Sequence, residues 1–549
     1  MFIDDRQRAA FQPVLTALTK FPKEHGVPAL LAVRPGYRYA AGEGGTITAT
    51  PVIVAAVAPD ALGSAADQAA SKLTDALGVP VVAQQASVDE QIANFDKKSG
   101  AIQPPASPMR SQLEQALRNT LPATFAVRRK PAYKPPSTVR LRRVRKRMGL
   151  TLAVSPDAGW PVLRDFLAGA ESSLTMGMYE MTAPHVADAL EQAVGRIHGD
   201  FLLTLHPVPE RQPKPGAKAQ DINESDVLGR LQAAAGDRFG FQWAPVGADF
   251  FFANAYHIKV VVADGQRFWL SSGNMQSSNQ APFDFNTDEP DPDFRKKYNR
   301  EYHVVCDCPE LAAMYEGFLK YDFQSAEQMG HHPPKNWDGP DVVVPADFEP
   351  TRFAAIPIVP PLALDPTQER DVEPLLTPDN YAERLFDLIR GAEGRLWFQN
   401  QYIKVTDDND VIEPLVRALI ELQGKPGFDL RIICRDQMDS ASLDTLVSMG
   451  LDPNKVRFQH NCHNKCVLID SKITVVGSHN WSNSGVGFNR DASLVIYDEE
   501  ATRYFEKVYK TDWDKLATAH PATPRRGSRV RAAGTAGGGD DAGEQDLDG

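Results

Sequence analysis

The chain repeats itself, and that restricts its fold more than any other feature. FLAGAESSLTMGMYEM (166–181) aligns with LIRGAEGRLWFQNQYI (388–403), setting Gly169 against Gly391 and Glu171 against Glu393. Each segment is followed by a helical pattern, Ala187–Val194 or Leu415–Leu422, and then by a strand, FLLTL (201–205) or DLRII (429–433). Further on, HIKVVVAD (257–264) matches HNKCVLID (463–470), and NREYHVV (299–305) matches NRDASLV (489–495). Five matched elements in one order imply an internal duplication. Strands alternating with helices imply an α/β class, with two α/β sandwiches packed face to face.

The 549 residues, 42% apolar and 24% charged, suit a globular protein with more than one core. No apolar run approaches the ~20 residues of a membrane-spanning helix. The start, MFIDDRQRAAF, has neither a basic leader nor an apolar stretch, so a cytoplasmic location is expected, with peripheral membrane contact or leaderless export as alternatives. A formal charge of −12 argues against chain-wide attraction to nucleic acid or anionic lipid. Five cysteines are too few for a disulfide framework and read as free thiols.

The expected divisions are a small α/β accessory module (1–95), a basic, proline-containing connector (96–148), a first half (149–330), a proline-rich connector (331–375), a second half (376–516) and a disordered tail (517–549). Within the module, helices are expected over Gln7–Leu18 and Ala65–Leu77. Strands are expected over Ala29–Val33, Thr46–Val57 and Val79–Ala83, broken at Pro35-Gly36. Ten basic residues and no acid lie between Arg128 and Arg147, which fits either an anionic surface or a basic edge strand.

The chemistry concentrates in two constellations. His257-x-Lys259-x4-Asp264 is followed after six residues by Ser271-Ser272-Gly273-Asn274, and His463-x-Lys465-x4-Asp470 is followed at the same distance by Gly477-Ser478-His479-Asn480. Residues at i and i+2 of a strand share a face, so each motif sets an imidazole beside a fixed cation. Asn274 and Asn480 add neutral donors. Two such sets facing each other suit a phosphodiester: one imidazole attacks, the other protonates the leaving oxygen, and four donors hold the remaining oxygens. Competing readings are weaker. His460, Cys462, His463 and Cys466 resemble a metal cluster, but residues 462 and 466 fall on the strand face opposite 463 and 465. His303 reads as a satisfied core histidine, and Asp284–Asp293 as a solvated loop.

At these residues the sequence resembles the phospholipase D superfamily, whose signature is H-x-K-x4-D-x6-G-S-x-N. The resemblance covers about residues 150–515, and the first copy departs from it at Ser271, where the family has Gly. It implies two phospholipase D-like α/β sandwich halves packed together, and a metal-independent, cofactor-free transfer through a phosphohistidine. His257 maps onto the nucleophile and His463 onto the general acid. Lys259, Lys465, Asn274 and Asn480 map onto the phosphate-binding groups, with Ser272 and Ser478 supporting that pocket. Glu301 and Asp491 match the family's downstream acid, the latter one methylene shorter. Asp264 and Asp470 complete the motifs and are counted with the catalytic residues, although they are more often structural in this family.

The resemblance implies a phosphodiesterase, hydrolase or transphosphatidylase, acting on a phospholipid at a membrane surface. A metal-independent nuclease is the alternative partner class, suggested by Trp481-Ser482 after the motif asparagine, where an aromatic ring would stack on a base. A non-catalytic phosphodiester-binding protein is the third reading.

Overall fold

The computed structural model describes residues 5–22, 24–41, 46–87, 90–91, 94, 133–207, 221–247, 250–290, 294–330, 341–343, 356–405, 411–436, 438, 440–519 and 529–531. Much of both connectors, including 96–132 and 344–355, and most of the tail lie outside them.

The N-terminal residues form a three-stranded sheet of β1 (Leu30–Ala41), β2 (Ile47–Val57) and β3 (Val81–Gln85), with helices Asp5–Leu18 and Ser64–Leu77. The second helix stops where the sequence requires, at Gly78, whose φ of +67° suits glycine. Contrary to expectation, β1 runs straight through Pro35-Gly36, paired to Ile53 and Val52. As an edge strand it tolerates a residue without N–H. Gly36 is needed for space, since a Cβ there would come within 2.5 Å of Asp444. That carboxylate, on helix Ser440–Ser448 of the second half, accepts from Arg34 Nη1 at 2.7 Å, Tyr39 Oη at 2.8 Å and Tyr37 N at 3.3 Å. Phe11, Val14, Tyr37 and Ile53 share one apolar cluster with Leu443 and Leu446. The module therefore docks on the second half through a buried ion pair set in an apolar seam.

After β4 (Val144–Arg147), the first half contributes β5 (Gly149–Ser155), β6 (Leu174–Met178), β7 (Phe201–Leu205), β8 (Phe239–Trp243), β9 (Val260–Ala263), β10 (Arg267–Ser271) and β11 (Glu301–Asp307). Past a short pair of β12 (Asp341–Val343) with a later strand come β13 (Leu362–Leu364), β14 (Glu369–Leu376), β15 (Arg395–Gln399), β16 (Asp429–Arg435), β17 (Val456–Gln459), β18 (Lys465–Ile469), β19 (Ile473–Gly477), β20 (Ala492–Tyr497), β21 (Ala517–Thr518) and β22 (Arg529–Arg531), the partner of β12. The first sheet has the order β13-β5-β11-β10-β9-β6-β7-β8, and the second β21-β17-β16-β15-β18-β19-β20-β14-β4. Read from opposite ends, β5-β11-β10-β9-β6-β7-β8 repeats as β14-β20-β19-β18-β15-β16-β17. The duplication inferred from sequence is thus a duplication of sheet topology. Its parallel steps are bridged by helices such as Pro184–Arg196 and Ile412–Leu422.

The two halves exchange edges. β4 immediately precedes the first half yet pairs with β14 of the second, while β13 immediately precedes the second half yet pairs with β5 of the first. Strand β14 lies in the stretch expected to be connector, so the second sheet begins at Glu369. The described end of the basic connector is an edge strand whose cations meet acids. Arg143 makes a bidentate pair with Asp371 at 2.8 and 2.7 Å, and Arg142 and Lys146 both pair with Glu310. Between the sheets lies a common core in which Tyr302, Val304, Leu468 and Leu494 pack with Tyr315 and Phe505 from helices Pro309–Met329 and Glu499–Thr511.

Asp264 and Asp470 sit at the far ends of β9 and β18, each in a left-handed conformation (φ +59° and +51°) followed by a second left-handed residue, Gly265 or Ser471. Asp264 accepts from the backbone N–H groups of Glu171, Ser172 and Ser173, and Asp470 from those of Glu393, Gly394 and Arg395. Burial opposes ionisation of both carboxyls, but these amide bonds outweigh it and hold them below the usual carboxylate range.

Two stability predictions follow from these contacts. Asp444→Ala leaves the Arg34 guanidinium and two donors short of an acceptor, and should destabilise the protein by about 3 kcal/mol in urea unfolding. Asp470→Asn should cost about 1–2 kcal/mol at neutral pH. Because the native pKa is depressed, that contribution is complete above about pH 4 and disappears as pH falls through the lower folded value. The gap between wild type and variant should therefore close in acid, as read from unfolding midpoints against pH.

Candidate active site

Antiparallel register gathers the motif side chains at one edge of each sheet. Lys259 and Lys465 stand at the start of β9 and β18, where Ser271 N donates to Lys259 O at 3.1 Å and Lys465 pairs with Gly477. The turns that leave β10 and β19 therefore deliver Asn274 and Asn480 beside the lysines. β11 and β20 run antiparallel to those strands, with Ser271 opposite His303 and Gly477 opposite Ser493. Glu301 and Asp491 thus enter at the same edge.

The halves are joined there crosswise. Tyr256 bridges to Arg490, and Arg300 bridges to Cys462. Each strand leading to a motif histidine consequently runs beside the residue preceding the other half's acid. His257 Nδ1 meets Asp491 Oδ1 at 2.8 Å, and His463 Nδ1 meets Glu301 Oε1 at 2.5 Å. Asp491 reaches its imidazole although it is one methylene shorter than Glu301. The serines orient the acids, Ser272 Oγ donating to Glu301 Oε2 at 2.5 Å and Ser478 Oγ to Asp491 Oδ1 at 2.6 Å. Both hydroxyls also accept a backbone N–H, from Tyr302 and Ala492. This corrects their expected place among the phosphate-binding groups, because their hydrogen bonds already serve the acids and the backbone.

Arg300 and Arg490 fix the crossing and were not singled out as functional from the sequence. Arg300 binds Asp157 of its own half at 2.8 Å and Asp512 of the other at 2.9 Å. Arg490 likewise binds Asp379 at 2.9 Å and, from the first half, Asp322 at 2.7 Å. The legible signal was the recurrence of Asn-Arg before each acid and of Pro-Asp at 156–157 and 378–379.

All four motif bases are buried. Burial chiefly holds the His257 imidazole well below its ordinary pKa, reinforced by the positive charges of Lys259 and Lys465 and by His463 and His206. That field draws on both motifs, as one shared site requires. Tyr179 meets His257 edge-on with ring centroids 4.9 Å apart, has Lys259 Nζ 5.2 Å from its own centroid, and stacks on His206 at 4.5 Å. Lys465 Nζ lies 3.3 Å from both ring nitrogens of His463. Burial would raise the Glu301 carboxyl, but His463, Lys465 and Ser272 hold it below its usual value. The edge thus combines a neutral imidazole with a free Nε2, a second imidazole paired to a carboxylate, and two ammonium groups.

Asp264 and Asp470 do not belong to this edge. Asp470 is five residues from Lys465 along its strand, about 16 Å at ~3.3 Å per residue, and its oxygens are occupied by backbone amides. This corrects their inclusion with the reacting groups. Ser271 is accommodated without a loop displacement of the kind glycine would relieve: its Oγ accepts from Gly273 N at 2.9 Å and meets His303 Nδ1 at 2.9 Å. At Gly477 the neighbour Ser493 Oγ leaves no room for a Cβ, so here space rather than φ selects glycine. His303 is a satisfied core residue, with Ser155 Oγ 2.8 Å from Nε2 and burial pushing its pKa down to about 4. Trp481 is buried against Phe398, with Nε1 donating to Tyr381 Oη at 3.3 Å, and offers no face to a base.

The family described as "Cardiolipin synthase, PLD-like domain" matches residues 385–513. The chain is 21% identical over 333 residues to cardiolipin synthase A of Pseudomonas entomophila (strain L48), covering 58% of each chain, so it spans little more than half of that relative. It is 32% identical over 106 residues to mitochondrial cardiolipin hydrolase of Canis lupus familiaris, covering 19% of this chain and 42% of that one. The crystal structure of phosphatidylserine synthase from Haemophilus influenzae Rd KW20 superposes with a TM-score of 0.43 at 12% identity, over 68% of this chain and 88% of that one. With an H-x-K-x4-D motif at the same place in each topological repeat and this family match across the second, the chain belongs to the phospholipase D superfamily.

Proposed function

We propose that the protein is a phospholipid phosphodiesterase that hydrolyses or transfers the phosphatidyl group through a phosphohistidine. The observation carrying this reading is the crosswise pairing of His257 with Asp491 and His463 with Glu301. In the first step, His257 Nε2 attacks phosphorus while the bond to the leaving alcohol breaks and His463 gives that oxygen its proton. Asp491 accepts from Nδ1–H and stabilises the imidazole as it gains charge. Lys259, Lys465, Asn274 and Asn480 hold the phosphoryl oxygens. In the second step, water or an alcohol attacks phosphorus, His463 removes its proton, and the P–N bond breaks to regenerate neutral His257. The four donors supply the charge stabilisation, so no metal is required by this scheme.

A lipid substrate is favoured over nucleic acid because Trp481 is buried in the core, and the match to the cardiolipin synthase family points the same way. Three of the described cations of the basic segment, Arg142, Arg143 and Lys146, pair with Glu310 and Asp371, which leaves them less suited to gripping a phosphate backbone. Among the described residues no helix is long and apolar enough to cross a membrane.

Phosphatidylcholine with ethanol should yield phosphatidic acid and phosphatidylethanol in the presence of EDTA, while single-stranded DNA stays intact; DNA cleavage without lipid turnover would reverse the substrate assignment. His257→Ala and His463→Ala should each lower turnover by at least about 10²–10⁴-fold. They should differ on a p-nitrophenyl phosphodiester, whose leaving group needs little protonation. His463→Ala should still accumulate phosphoenzyme on acid quench and His257→Ala none, and the opposite pattern would exchange the two roles. Since the neutral form of His257 is favoured, the acid limb of kcat/KM should lie below about pH 6.5.

A further inference from the structure

Glu301 has a partner that the second half does not reproduce at the matching position. Ser272 Oγ donates to its Oε2, and Asn279 Nδ2 donates to its Oε1 at 2.9 Å, the oxygen that also meets His463 Nδ1. The other end of the same amide accepts the backbone N–H of Asn274 at 3.2 Å. These partners fix which end of the amide is which, because a carboxylate accepts and a backbone N–H donates. Asn279 and Glu301 are both wholly buried. The turn closes without this side chain, since the backbone N–H groups of Asn279 and Gln280 donate to Gln276 O at 3.2 and 2.9 Å. Seven residues after the motif serine, where the first half has Asn279, the second has Gly485. A Cβ there would come within 2.3 Å of Asn480 O, so the second half has no room for such an amide.

We propose that Asn279 is a positioning residue for proton transfer by His463, joining Glu301 to the turn that carries Asn274. The inference rests on the phosphohistidine reading above and deepens it by adding a residue to the acid step. The Glu301 side chain has three rotatable bonds. Held by Ser272 alone, its carboxylate could still turn about that contact and carry His463 with it; a second donor on Oε1 stops the rotation. His463 then keeps Nδ1–H on Glu301 and presents Nε2–H to the leaving oxygen, which takes that proton as its bond to phosphorus breaks. Because the amide also holds Asn274 N, the acid is fixed relative to a group assigned to the phosphoryl oxygens, the kind of alignment on which proton transfer depends steeply. Asp491 has one rotor fewer than Glu301, so the brace stands on the half whose acid is longer.

The full chain is assayed on phosphatidylcholine and on phosphatidyl-p-nitrophenol in the same mixed micelles. Both lipids give the same phosphatidyl group to His257, and they differ in how much the leaving oxygen needs a proton. Asn279→Leu has a similar volume and no polar side-chain atom. It should lower kcat/KM on phosphatidylcholine by about tenfold or more, the scale of one hydrogen bond to a charged group, and on the aryl lipid by no more than about twofold. Asn279→Ala leaves space for a water that can donate to Oε1, so it should show the same split at smaller size and carries the test if the leucine variant does not fold. Damage to the fold or to phosphate binding would lower both substrates alike. Equal losses on the two lipids in a folded variant, or undiminished phosphatidylcholine turnover in Asn279→Leu, overturns the assignment while leaving the phospholipid reading in place. Turnover of neither lipid by wild type overturns both.

Discussion

Two buried guanidinium groups hold the architecture together. Arg300 and Arg490 each bind one carboxylate from their own half and one from the other. All six groups are removed from water, so the arrangement persists only because every charge is matched by opposite charge and directional hydrogen bonds. Taking one partner from such a set leaves an uncompensated buried ion, a far larger penalty than the set contributes in net stability. The halves are consequently held in one relative position. Each arginine also immediately precedes the acid that crosses to the opposite imidazole, so the clamp and the imidazole contact come from adjacent residues.

The crossing changes what the duplication means. Each motif histidine pairs with a carboxylate from the other repeat, so neither half assembles these pairs by itself. The exchange of β4 and β13 between the sheets follows the same pattern at the opposite margin. Edge strands traded in this way cover backbone groups that each sheet would otherwise expose. The N-terminal module is attached differently, through Asp444, Asn454 and an apolar seam on the second half.

Repetition of topology has not produced equivalence of environment. His257 lies beside Tyr179 and His206, and burial with neighbouring cations keeps it neutral. His463 instead lies between Lys465 and a short contact to Glu301. Gly273 and His479 occupy corresponding turns, one empty of side chain and the other carrying an imidazole. Identical motif letters therefore become two different acid–base environments.

The sequence by itself determined the duplication, the α/β alternation and the two repeated motifs, because strand periodicity and motif spacing are local properties that survive without knowledge of neighbours. It also placed His303 in the core and marked Glu301 and Asp491. It could not reveal which acid serves which histidine, because that depends on contacts between residues 234 and 162 positions apart. The same limit hid the serines' commitment to the acids, the role of Asp264 and Asp470 as staples of a distant turn, and the burial of Trp481. Strand β1 through Pro35-Gly36 belongs with these, since the approach of Asp444 is what makes glycine necessary there. Tertiary structure alone decided such pairings, because hydrogen bonds and ion pairs select partners by distance in space and not along the chain.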